Sequence, residues 1–243
     1  MKPGIAVGLA LCAVLAPLTA CDTLGLGDDP SVALSFAVAG TSGAGSASLL
    51  AVPITDGTNT VDLQNVDVSF DEIVLERSEN DVGGDSDGES DVDSDSDGSA
   101  NETVRRGDFT VALPVDGGVI TPINEALPAG RYEKVELDVR SVRLRGTYNG
   151  EAFDVTVPVN SELELEFDED FVVDDDMDRL NVTIAINFAN WLRNSSGQLI
   201  DPRLLASDTE LRAQVVNRIR ASFRAFEDSD GDADEEDSDS DSL

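Results

Sequence analysis

The chain has 243 residues, with 50 acidic against 16 basic side chains, a formal net charge of −34 and no histidine. So acidic a protein excludes nucleic acid as a partner, because binding a phosphate backbone needs clustered Lys and Arg. Without His, Ser-His-Asp and Cys-His catalysis and His-ligated zinc or iron sites are excluded as well.

No phosphate-cradling glycine loop or dinucleotide fingerprint is present. Carboxylate pairs are too abundant to single out a hydrolase, so the expectation is a protein that is not an enzyme.

The first 21 residues read MKPGIAVGLALCAVLAPLTAC. Lys2 precedes an apolar run from Ile5 to Leu15, followed by small residues and Cys21. That order is a secretory signal, and the apolar run is too short for a permanent membrane span. Leu18-Thr19-Ala20-Cys21 resembles the lipobox of bacterial lipoproteins. The resemblance implies that residues 1–20 are a signal peptide cleaved just before Cys21, whose thiol is diacylated. Two acyl chains anchor stably where one binds marginally. Cys12 leaves with the signal, so the mature chain keeps no thiol for a disulfide or a nucleophile.

Residues 21–30 then read as a flexible Gly- and Asp-containing tether. From 31 to 200 period-2 alternation predicts strands. Val32, Leu34, Phe36 and Val38 share one face of the first, and 41–48 is a Gly/Ser loop. Val66, Val68 and Phe70 lie on one parity and Ile73 and Leu75 on the other, so a β-bulge is expected at Asp71-Glu72. Residues 79–102 carry ten acids and no base and are expected to be a disordered acidic insert.

Beyond it Phe109, Val111, Leu113 and Val115 alternate. Val135, Leu137 and Val139 give way to Val142 and Leu144 on the other parity, placing a second bulge near Arg140-Ser141. Asn149-Gly150 between alternating runs predicts a hairpin, whose second arm carries Phe153, Val155, Val157 and Val159. Leu163, Leu165 and Phe167 alternate with Glu162, Glu164 and Glu166, a half-buried strand with an acidic outer face. Val182, Ile184, Ile186 and Phe188 form the last strand.

A helix is expected over 204–226. Ser207 to Glu210 fit a capping box with Ser207 as N-cap, and Leu211, Val215, Ile219, Phe223 and Phe226 recur at helical spacing. Residues 227–243 are a second acidic tract with ten acids, also expected to be disordered. The fold class is therefore all-β, an antiparallel β-sandwich with one C-terminal amphipathic α-helix.

The stretch LPAGRY, followed by the strand EKVELDV, resembles a domain of unassigned function found in many bacterial lipoproteins. The matching positions are Leu127, Pro128, Gly130, Tyr132, Val135 and Leu137. Transthyretin-like and carboxypeptidase-regulatory-like sandwiches share this turn. The resemblance covers roughly 31–200; the acidic insert and the C-terminal helix depart from it. It implies a transthyretin-like sandwich and no catalytic residues. The turn has its own physics: Pro128 sets φ, and Gly130 is able to supply a positive φ before the strand.

Three features are candidate ligand sites. Asp93, Asp95, Asp97 and Gly98 fill the opening half of a calcium loop, and Asn101 suits its ninth position. The closing Glu is missing, since Val104 stands there, which favours weak, diffuse calcium binding over a shaped site. Asp174, Asp175, Asp176 and Asp178 form a second acidic cluster between strands. Trp191, near Phe188, is either a core residue or a carbohydrate contact.

Together these features lead to the expectation of a non-catalytic, lipid-anchored binding or structural module. Its setting is the bacterial cell envelope, exported and membrane-held, with inner and outer membrane both open. Its partner is an envelope protein or polysaccharide. A calcium-responsive adhesion or assembly module and a carbohydrate-binding module are the alternatives.

Overall fold

The computed structural model describes residues 31–38, 53–78, 101–115, 117–174 and 179–228. Among the described residues nine strands run in the order β1 (Ser31–Val38), β2 (Ile54–Thr55), β3 (Thr60–Arg77), β4 (Asn101–Leu113), β5 (Val119–Ala126), β6 (Gly130–Tyr148), β7 (Glu151–Val173), β8 (Arg179–Ile186) and β9 (Phe223–Glu227). A 3-10 turn at Pro202–Ala206 and helix α1 (Thr209–Arg220) separate β8 from β9.

The strands form two sheets packed into an all-β sandwich. One sheet has the order β5-β1-β8-β9; the other has β2-β3-β6-β7, with β4 also on β3. The core is the facing parity of both: Val32, Leu34 and Phe36 with Val182, Ile184 and Ile186 against Val66, Val68, Phe70, Val135, Leu137 and Val139. Phe36 and Phe70 meet across the layers with ring centroids 5.5 Å apart. Burial of this apolar parity is the main driving term for the fold.

The longest strands, β6 and β7, make the hairpin expected from Asn149-Gly150. Asn149 has φ 51 and Gly150 φ 82, the two positive φ values that a type I′ turn requires. Both expected bulges are present. Register slips between Phe70 and Glu72 on β3 and between Val139 and Ser141 on β6. They align with Gly107 (φ 96) on β4 and Asn160 (φ 45) on β7, so one line of irregularity crosses four strands. Arg140, displaced by its bulge, pairs with Asp71 of β3 and Asp108 of β4.

The LPAGRY turn crosses from β5 to β6. Tyr132 is fully buried and its hydroxyl donates to Pro128 O at 2.9 Å. Arg77 lies with its guanidinium 5.7 Å from that ring's centre and donates to Ala129 O at 2.8 Å. Gly130 does not have a positive φ; the hydroxyl bond and the Arg77 contact hold the turn instead.

The structure revises three other expectations. The sandwich is mixed, because β1 and β8 pair in parallel from Ser31 with Arg179 to Val38 with Ile186. The helix does not run over 204–226. It occupies Thr209–Arg220, after which Phe223 and Ala225 are buried on β9. Its N-cap is Asp208, whose Oδ1 accepts from Glu210 N and Leu211 N at 3.0 Å each, whereas Ser207 closes the 3-10 turn by donating N–H to Leu204 O.

Candidate functional site

The outer face of the β3-β6-β7 sheet is divided by the bulge line. On the hairpin side charges are matched. Arg143 makes two bonds to Asp154, at 2.8 and 2.6 Å, and Arg145 reaches Asn65 and Asp67. The hydrogen bonds from Arg143 hold the Asp154 carboxyl below the usual carboxylate range.

On the other side acidic groups outnumber basic ones. Cross-strand rows read Glu72-Asp138-Glu162, Val74-Glu136-Glu164 and Glu76-Lys134-Glu166. Like charges directly opposite are unfavourable in a sheet, and here they occupy neighbouring rows. Carboxylate oxygens of Glu136, Glu162 and Glu164 come within 4.8 Å of one another. Two counter-charges reach these rows: Arg106 Nε lies 2.9 Å from Glu72, and Lys134 Nζ lies 2.6 Å from Glu76 and 3.2 Å from Glu136. Glu162 and Glu164 also border an open groove with Asn217 and Arg220 of α1, which continues past Phe223 and Arg224 of β9. Sequence periodicity showed the acidic face of β7, but only strand register reveals that it lies against Glu136 and Asp138.

A second polar cluster caps the hairpin end of the sandwich. Asp56 accepts from Asn59 N at 2.7 Å, Leu199 N at 2.8 Å and Thr58 N at 2.8 Å. These backbone donors, Asn59 first, hold its carboxyl far below the usual carboxylate range. Arg203 bonds Asp201 at 2.7 Å and also pairs with Glu151. Burial, then the charges of Asp201 and Asp56, pushes the Tyr148 hydroxyl up. Arg193 donates to Thr55 O at 3.2 Å and Gly197 O at 2.7 Å. Three loops are thereby tied into one rigid surface. The bonds that join the loops, Leu199 N to Asp56 and Arg193 to Thr55 O, link groups 143 and 138 residues apart, which no local pattern signals.

The residues singled out by sequence are spread over the chain. Cys21, Asp93, Asp95 and Asp97 lie outside the described residues, as do Asp175, Asp176 and Asp178. Asn101 opens β4 and pairs with Glu76 of β3. Asp174 is exposed after the end of β7. Trp191 is 1% exposed; its Nε1 donates to Ser222 Oγ at 2.7 Å and its ring packs on Phe188. It therefore offers no open ring face on which a sugar could stack. No family model, no curated protein and no solved structure matches this chain.

Proposed function

We propose that this chain is an exported, lipid-anchored, non-catalytic module of the bacterial cell envelope, acting by binding or by structural support. The observation that carries the reading is Leu18-Thr19-Ala20-Cys21 after an apolar run, followed ten residues beyond Cys21 by the start of the folded sandwich at Ser31. That spacing suits a lipid anchor, a short tether and a domain held close to the membrane.

The arrangement of charge supports a binding or structural role. The ionisable side chains of the hairpin half bond to one another, as Arg143 does to Asp154 and Arg203 to Asp201. Such groups build a surface rather than a reacting centre.

Labelling with a radioactive fatty acid tests the anchor. The wild-type chain takes up label and Cys21→Ala does not, while globomycin causes the uncleaved precursor to accumulate. Normal processing and membrane retention of Cys21→Ala would sink the reading.

A further inference from the structure

The strand order brings to one pole of the sandwich the described residues that flank the acidic segments 22–30, 79–100, 175–178 and 229–243. Ser31, where the tether enters, pairs with Ala126 at the end of β5 and Arg179 at the start of β8. Four residues past Ala126, Gly130 opens β6 opposite Val173, the last residue of β7. Ser78 donates N–H to Arg131 O at 2.8 Å, and Asn101 pairs with Glu76, so both ends of the 79–100 segment are here. Asp228 donates N–H to Asn181 O at 3.0 Å, bringing the exit of the 229–243 segment to the same place.

The segments that leave from this pole (22–30, 79–100, 175–178 and 229–243) carry 23 acids and no Lys or Arg. At the other pole are the Asn149-Gly150 turn, the Asp56 and Arg203 cluster, and the entry to residues 39–52, which contain no charged residue. β6 has 19 residues, so the poles are roughly 60 Å apart at the usual rise per residue.

We propose that the sandwich stands with the pole of Ser31, Ser78 and Asp228 toward the anchoring bilayer. The acidic segments that depart from this pole hold the domain off anionic headgroups, and the Asn149 pole faces away from the membrane. This rests on the lipid-anchor reading above. The nine tether residues reach at most about 30 Å. Electrostatic repulsion extends about 30 Å at 0.01 M salt and about 3 Å at 1 M. The stand-off therefore spans the whole tether at low salt and collapses at high salt.

The test uses the acylated full chain in vesicles of phosphatidylcholine with phosphatidylglycerol, and in pure phosphatidylcholine. With Cys21 acylated, Ala126→Cys or Ser195→Cys supplies a single thiol for a donor dye; both sites are exposed. Energy transfer to an acceptor lipid is expected to be several-fold stronger from position 126 than from position 195. On anionic vesicles transfer from 126 rises several-fold between about 0.01 M and about 1 M NaCl, and on pure phosphatidylcholine it does not.

Equal or reversed transfer from the two sites overturns the orientation. The expected order without a salt response on anionic vesicles overturns the stand-off. An acylated chain that fails to float with vesicles removes the anchor reading itself, and the orientation with it.

Discussion

Lys134 Nζ of β6 lies 2.6 Å from Glu76 Oε2 of β3, and the two side chains are 19% and 15% exposed. Lys134 is one of two lysines in the chain, the other being Lys2, and it stands amid Glu76, Glu136 and Glu166. Replacing it with Met keeps the stem and removes the charge, leaving shielded carboxylates facing one another. The expected loss is roughly 1.5–3 kcal/mol, the scale of hydrogen bonds to charged groups. Urea unfolding of Lys134→Met measures it.

Glu164 is directly opposite Glu136 in the next row. Glu164→Lys turns an unfavourable cross-strand pair into a favourable one and is expected to stabilise the sheet by roughly 0.2–1 kcal/mol. The gain shrinks as salt is added, because the residue is exposed. Thermal unfolding at low and high NaCl separates this charge effect from a packing effect, which salt would leave unchanged.

Tyr132→Phe removes the bond to Pro128 O and keeps the ring. The expected cost is about 1 kcal/mol. Tyr132→Ala also empties a fully buried site beside Phe171, whose ring centre is 5.5 Å away, and is expected to cost roughly 3–5 kcal/mol. Denaturant midpoints of the two variants check the ratio.

Much of sheet β3-β6-β7 could be read directly from the chain. Alternation located the strands, the parity switches at Phe70/Ile73 and Val139/Val142 located the bulges, and Asn149-Gly150 located the turn. These are local signals, set by the pleat and by backbone φ. Strand β9 escaped because Phe223 and Phe226 continue the spacing of Leu211, Val215 and Ile219, and no Gly or Pro marks the end of α1. What ends the helix is tertiary: Ser222 Oγ donates to Ile219 O at 2.6 Å and accepts from Trp191 Nε1. Strand β5 was missed too, since Pro122 breaks its pattern, as is tolerated on an edge strand. The acidic rows needed cross-strand register, which periodicity along one strand does not contain.

Asp56, Asp154 and Asp201 all have carboxyls lowered from their ordinary values by hydrogen bonds. A lowered folded-state value means that the ionised form favours folding. Their contribution is therefore complete above the ordinary Asp value of about 4, and is lost as pH falls through their lower folded values. Asp56→Asn is expected to lower the unfolding temperature at pH 6 and to flatten its fall between pH 4 and pH 2. A variant with the same fall as wild type would remove Asp56 from the account.

Calcium is expected to bind on the order of millimolar, without stoichiometric saturation, and Asp93→Ala is expected to leave the isotherm unchanged. Saturable one-site heat that disappears in Asp93→Ala would instead establish a shaped calcium loop in the acidic insert.

The parallel pairing of Ser31 with Arg179 has a kinetic consequence. In sheet β3-β6-β7 the β6-β7 pair closes through the two-residue turn between Tyr148 and Glu151. β1 must instead wait for partners some 90 and 150 residues downstream, in β5 and β8. Long loop closures of this kind slow folding into the millisecond-to-second range typical of β-sandwiches. During that interval Val32, Leu34 and Phe36 remain exposed, so the first strand made is among the last to be protected from aggregation.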